Sequence, residues 1–152
     1  MAELTTLGGA CERVDYGLTT AAVDSKSGPR LLRITDIDGS HIAWDSVPRC
    51  AADPSQTAKY QLVDGDIVVA RTGASTGRSQ WVQTVEPSVF ASYLVRFRTN
   101  KEFDSRFVAY VLQTEPWFEH VKSVAHGKSA QPNISARDMG AFEFSAPGLV
   151  EQ

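Results

Sequence analysis

A chain of 152 residues, 42% hydrophobic and 22% charged, has the size and balance of one globular domain with its own core. No apolar run approaches the length of a membrane span, and the opening MAELTTLGGACERVDYG carries acids and lacks the apolar centre of a signal peptide. Cys11 and Cys50 are too few and too far apart for a disulfide framework or a zinc site, which predicts two reduced, buried thiols in a cytoplasmic protein.

A net charge of −3 argues mildly against a nucleic-acid binder, but its distribution matters more. Between Ile67 and Lys101 stand Arg71, Arg78, Arg96, Arg98 and Lys101 against the single acid Glu86. Between His120 and Arg137 stand Lys122, Lys128 and Arg137, with His120 and His126 and no acid. The acids gather elsewhere, as at Asp36, Asp38, Asp45 and Asp53. The chain is polarised, with its basic residues in two blocks.

In chain order, Arg30–Ile37 has the β-branched, alternating character of a strand. Asp38-Gly39 signals a turn, and His41–Trp44 is the expected hairpin partner. Pro48 and Pro54 make 45–58 a loop with one short helical turn. Asp66–Arg71, Arg78–Gln83 and Phe90–Arg98 read as three more strands. Both alternating sets of the last contain apolar residues, so it is expected to be central and covered on both faces. The period then changes. Phe107, Val108, Val111 and Leu112 fall at helical spacing behind an N-cap at Asp104 or Ser105. Pro116 ends that helix near Thr114 and opens a second, whose stripe is Phe118, Val121 and Val124. The polar loop AHGKSAQPNIS follows, then a short turn capped by Ser135 and a last strand over Ala141–Ser145. There is no low-complexity tract, linker or internal repeat. Strand-rich segments, a helical pair and a closing strand make the class α+β.

Catalytic signatures are missing. No serine sits in a G-x-S-x-G elbow, and spacing pairs none of His41, His120 and His126 with a nucleophile. His120 and His126, six apart, do not share a helical face as metal ligands do. Asp64 and Asp66 around Gly65 read as a solvated turn. Arg71-Thr-Gly-Ala-Ser-Thr-Gly77 lacks the lysine of a P-loop and the G-x-G-x-x-G of a dinucleotide site. The expectation is a protein that is not an enzyme and needs no cofactor or metal.

Three stretches in order carry a resemblance: Leu32-Arg-Ile-Thr-Asp-Ile37; Gly65-Asp-Ile-Val-Val-Ala-Arg-Thr-Gly73 with Gly77; and Ser129-Ala-Gln-Pro-Asn-Ile-Ser135, which leads to Ala146-Pro-Gly-Leu-Val-Glu-Gln152. With the helical pair between them, they resemble the target recognition domain of type I restriction–modification specificity subunits over nearly the whole chain. The resemblance implies that family's α+β fold, a mixed, strongly twisted β-sheet with a helical pair near the C-terminal third. It implies a single recognition domain over 1–152, one half of a usual two-domain subunit. Such a domain reads half of a split DNA target while the subunit performs no catalysis itself. The implied partners are double-stranded DNA, methyltransferase (modification) subunits that methylate adenine and, through them, restriction subunits; no membrane is involved. The chain ends at Gln152, where the resemblance would place the start of a spacer helix. The alternatives are the recognition domain of a fused N6-adenine methyltransferase, and a protein-interaction module of an anti-phage system that touches no DNA.

A reader of duplex DNA needs phosphate contacts for affinity and base-edge contacts for discrimination. Arginine can donate twice to guanine, and asparagine or glutamine can pair with adenine in the same bidentate way. Arg71, Arg78, Gln80, Gln131 and Asn133 have the right chemistry for bases. Thr72, Ser75, Thr76, Ser129 and Lys128 suit phosphates, and Gly73, Gly77 and Gly127 let backbone amides come close. Arg71 is balanced between a phosphate contact and an ion pair with Asp66 or Asp36. For Gln131 and Asn133, hydrogen bonds that hold their own loop compete with base contact. Base discrimination is expected in the less patterned loops: Ser25–Arg30 with Lys26 and Arg30, 45–60 with Arg49 and Lys59, and Arg78–Gln80. Trp44, Trp81 and Trp117 are expected to pack in the core. The reading requires cationic side chains from separate loops to converge on one face.

Overall fold

The computed structural model describes residues 2–84, 86–125 and 132–152, and they form an α+β fold whose strands make three sheets. β1 (Glu3–Thr6) pairs antiparallel with β10 (Glu143–Ala146). An antiparallel sheet has the order β2 (Cys11–Tyr16), β9 (Leu94–Thr99), β6 (Ile67–Ala70), β7 (Ser79–Trp81). A second sheet has the order β3 (Ala22–Val23), β5 (Arg49–Cys50), β4 (Arg30–Leu32), β8 (Ser88–Phe90), and is mixed because β4 and β8 run parallel. The helices are α1 (Pro54–Thr57), α2 (Ser105–Val111), α3 (Glu115–Val124) and α4 (Ala136–Gly140).

β6 and β9 explain the layering. All four residues of β6 are buried, and a strand sends successive side chains to opposite faces. Ile67 and Val69, with Val95 and Phe97 of β9, pack on one face against Val108, Leu112, Trp117, Val121 and Met139 of the helices. Val68, Ala70 and Leu94 pack on the other against Leu32, Ile37, Val47, Leu62 and Phe90. Each fully buried aliphatic or phenyl side chain contributes about 1.5–3 kcal/mol. The expectation of a central strand covered on both faces holds for β9.

Several boundaries differ from the sequence reading. Phe90–Arg98 is not one strand: a turn at 91–93 ends β8 in the mixed sheet and starts β9 in the antiparallel one. The hinge is tight, since a Cβ on Gly17 would stand 2.0 Å from the Ala91 carbonyl oxygen. Arg30–Ile37 is strand only to Leu32, then a 3-10 turn over Ile34–Ile37 whose N-cap residue, Arg33, donates its amide to the Asp36 carboxylate. His41–Trp44 forms no hairpin; Trp44 opens a 3-10 turn and its indole donates to the Gln83 carbonyl. β1, β2 and β3 were not foreseen, nor was β5, which lies in the stretch 45–58 read as a loop. Around Pro116 the reading is correct: Asp104 caps α2, α3 starts at Glu115, and Ser135 caps α4. Trp117 is fully buried in the core, and Trp44 and Trp81 are partly buried against it.

The turn around Gly65 is not solvated at both acids. Asp66 is wholly buried and accepts from Arg98 at 2.8 and 3.0 Å, from Arg96 at 3.3 Å and from the Val63 amide at 2.9 Å. Only Asp64 is exposed, where it accepts from Thr84. Arg96 is also wholly buried and reaches Asp15 at 2.8 Å and the carbonyls of Gln61 and Lys59. Two arginines of the first basic block thus hold the core together. Burial pulls the Asp15 carboxyl upward, but the hydrogen bond and charge of Arg96, then those of Arg13, outweigh it and hold it below the usual carboxylate range. Both cysteines are free thiols; Cys50 is buried, while Cys11 is partly buried and burial pushes its thiol up to about 12. Among the described residues, no helix is long and apolar enough to cross a membrane.

Candidate nucleic-acid interface

Loop 71–78, which joins β6 to β7, is closed by backbone bonds across its base. Ala70 and Arg78 share one hydrogen bond at 2.8 Å, and the Gly77 amide donates to Ala70 at 2.8 Å. Gly73 and Gly77 hold φ of 79° and 92°, the left-handed region that glycine enters without steric cost. At Gly77 a second constraint applies. A Cβ there would meet Val121 at 3.0 Å, and the Gly77 carbonyl accepts from the Trp117 indole at 2.8 Å. The loop therefore sits on α3 by backbone contact.

One flank of the loop is welded to the segment after the polar loop. Thr72 bridges Asn133 in antiparallel register, Gly73 donates to the Pro132 carbonyl at 3.1 Å, and Ile134 donates to the Arg71 carbonyl at 2.9 Å. The Thr76 hydroxyl donates to the Gly73 carbonyl at 2.6 Å and reaches Pro132 at 3.3 Å. The two motifs that carried most of the resemblance thus pair with each other. Arg71 takes up neither ion pair expected of it, since Asp66 is bound by Arg96 and Arg98 and Asp36 by Arg33. Its Nε donates to the Ser92 carbonyl at 2.8 Å and its guanidinium lies 5.1 Å over the Tyr16 ring.

The other flank forms one wall of a cleft of about 770 Å³. Ser75, Thr76, Arg78 and Gln80 line it from the loop and β7, Gly39 and Ser40 from the turn after β4, and Arg106, Ala109, Tyr110 and Gln113 from α2 and its end. Trp81 and Phe118 complete the floor and rim. The turn is tied to the loop: Ser75 donates to the Asp38 carboxylate at 3.1 Å, Arg78 to the Asp38 carbonyl, and Gln80 to the Gly39 carbonyl at 2.7 Å. Arg78 Nε also stands 3.9 Å from that carboxylate. Arg106 lies 4.9 Å over the Trp81 indole, whose N–H donates to Ser105 at 2.9 Å. None of the residues lining the cleft is an acid, in a chain that carries 18 of them.

Convergence of the cations is therefore partial. Ser75, Thr76, Arg78 and Gln80 share the cleft, Arg78 being the one predicted cation among its lining residues, and Arg71, Thr72 and Asn133 stand on the other flank of the loop, outside the cleft. Arg30 and Arg49 are in the mixed sheet, both bound to Glu86, at 2.5 and 3.0 Å, with further donations to the carbonyls of Val47 and Gly28. Hydrogen bonds from Arg30, then Arg49, hold the Glu86 carboxyl below its usual range. Lys26 is exposed in the loop before β4, and Lys59 is exposed beside the Tyr60 ring at 5.0 Å. Neither lines the cleft. Lys128, Ser129 and Gln131, with His126 and Gly127, lie outside the described residues. Arg106, Tyr110 and Gln113 escaped the sequence reading, though their spacing opposite Val108 and Leu112 marks one face of α2.

No protein-family model matches the chain, and no curated protein does. Solved structures do. A structure of the assembly and conformational transition of the type I R-M system superposes with a TM-score of 0.73 over 99% of this chain, at 17% identity. The HsdS subunit from Thermoanaerobacter tengcongensis gives 0.72 over 99% at 17%, and the type I restriction–modification S subunit from M. genitalium 0.65 over 96% at 15%. The chain spans about a third of the matched chains, 35%, 34% and 34% of each. The α+β fold expected from the three motifs is the fold found in these proteins.

Proposed function

We propose that this chain is a DNA target recognition domain of a type I restriction–modification specificity subunit, a single domain over 1–152 that reads one half of a bipartite site. It acts by recognition and not by catalysis. In the complete protein it directs adenine methylation by modification subunits and, through them, cleavage by restriction subunits, in the cytoplasm where the DNA is. The observation that carries this reading is the cleft beside loop 71–78, lined by Arg78, Arg106 and polar side chains and built from the motif that resembles this family, on a fold shared with its specificity subunits.

The chemistry suits duplex DNA. Arg71 and Arg78, with Lys128 from the adjoining segment, supply cations for phosphates, while Gln80 and Asn133 carry amides of the kind that pair with base edges. Thr72, Ser75 and Thr76 add hydroxyl groups along loop 71–78, and Ser129 and Gln131 are proposed contacts of the same chemistry. Lys26 and Lys59, exposed in a separate part of the molecule, serve as phosphate contacts on a longer footprint; Arg30 and Arg49 join them only by leaving the Glu86 carboxylate that binds both. Few phosphates are neutralised by one domain of net negative charge, so affinity alone is modest and falls steeply with salt. Two such domains on one rigid spacer gain by effective concentration, which suits a split target.

The test is a mobility shift of the chain on a random duplex pool at low and high salt, followed by selection of the bound sequences. Enrichment of one short sequence, and methylation of it by the full-length parent with its methyltransferase, is the expected result. Binding without enrichment at any salt, with no protected sequence in the parent system, would refute the reading and favour the protein-interaction alternative.

A further inference from the structure

The cleft holds two guanidinium groups that stand in different states. Arg78 is half committed, since it donates to the Asp38 carbonyl and its Nε stands 3.9 Å from the Asp38 carboxylate. Arg106 has no hydrogen bond or ion pair from its side chain among the described residues; its contact is the face of Trp81. The cation–π contact holds the guanidinium against the indole without using its N–H donors. It also occupies the first turn of α2, where an acid is the stabilising choice. A residue that breaks a local rule without a compensating contact at its donors marks a place where function outweighs stability.

Its neighbours fit the same purpose. Tyr110, 73% exposed, follows Arg106 by four residues on one helical face, and Gln113 continues the row. Gln113 Nε2 donates to Ser79 at 3.0 Å, which orients the amide, and its oxygen accepts no hydrogen bond from the described residues. Trp81, in turn, is held by Ser105. Arg106 and Gln113 are thus held by Trp81 and Ser79 before any ligand arrives, which lowers the cost of ordering them on binding.

We infer that α2 is a base-reading wall of the cleft, and that Arg106 specifies a guanine by donating to O6 and N7 in the major groove, with Gln113 and Tyr110 beside it. This rests on the recognition reading above and adds to it a specificity-determining residue outside the motif segments. Charge supports duplex DNA as the occupant: the cleft lining carries Arg78 and Arg106, and while Asp38 stands 3.9 Å from Arg78, Arg106 has no carboxylate partner among the described residues. A bidentate arginine–guanine pair discriminates against the wrong base by about 1–3 kcal/mol, or roughly 5- to 150-fold.

The experiment repeats the duplex selection with Arg106→Met, which keeps an aliphatic stem on Trp81, and with Arg106→Lys, which keeps the charge and loses the fork. Circular dichroism melts establish that each variant is folded, and Gln113→Ala serves as a second probe of the same wall if either is not. Arg106→Met should bind the wild-type sequence at least fivefold more weakly and accept other bases at one guanine. Its affinity for the unselected pool should stay within about threefold. Arg106→Lys should not restore the preference. Enrichment of the unchanged sequence by both variants, with full discrimination at every guanine, overturns the inference and leaves the recognition reading standing. A wild-type chain that enriches no sequence overturns both.

Discussion

Replacing Asp66 by alanine tests whether the first basic block is part of the core or of the binding surface. The carboxylate is completely buried and accepts four hydrogen bonds, two from Arg98, one from Arg96 and one from the Val63 amide. Arg96 would keep Asp15 and two carbonyls, so its charge is not left alone. Arg98, whose side chain is 20% exposed, would lose its close carboxylate partner, and the Val63 amide would lose its acceptor. Removing one partner of a buried pair costs about 3–5 kcal/mol, and the orphaned amide falls within that range because the terms do not add. For a chain of this length each kcal/mol moves the melting temperature by about 2–4 °C, so Asp66→Ala should melt roughly 6–20 °C below wild type. Urea titration followed by circular dichroism and tryptophan fluorescence reads the same change as a lower midpoint at constant slope. A loss under about 1 kcal/mol would refute the view that Arg96 and Arg98 are bound to the core through Asp66.

Gly77→Ala places a Cβ against Val121 in a left-handed backbone. It should cost about 1–3 kcal/mol in urea titrations and weaken DNA binding by displacing the loop, whereas a neutral effect would contradict the close approach. Arg78→Ala removes an exposed cation, so the melting temperature should hardly change. The slope of log affinity against log salt should shrink by about one, and a stability loss with intact binding would make Arg78 structural. Asp15 and Glu86 both have folded-state values below the usual carboxylate range, so their contribution is present above the unfolded value and is lost as pH falls through the folded one. Thermal melts should therefore drop below about pH 4, with less loss in an Asp15→Asn/Glu86→Gln variant; an unchanged profile in that variant would exclude these two groups as the cause.

Much of the fold was legible where a local rule decides it. Pro116 separates two helices because proline lacks the amide that helix continuation needs, and Asp104 and Ser135 cap because their side chains accept from the first free amides. β6 was visible as an unbroken apolar run. The order of three motifs identified the fold although no family model matches the chain. β1 and β3 were missed because short strands borrow their stability from pairing across the chain, and β1 pairs with residues about 140 positions away.

The sequence by itself determined the helix boundaries, the apolar strand at 67–70, the recognition motifs and the absence of catalytic signatures, because each depends on neighbours within a few residues. Only the tertiary structure decided which cations face solvent. Arg96 and Arg98 look in the sequence like Arg78, yet Asp66 and Asp15 draw them inward, and Glu86 binds Arg30 to Arg49 across the mixed sheet. Arg106, set apart from both basic loops, instead stands open in the cleft. The physical reason is that a guanidinium's role is set by which carboxylates approach it, and those carboxylates come from residues 30 to 81 positions distant, by contacts that no local pattern records.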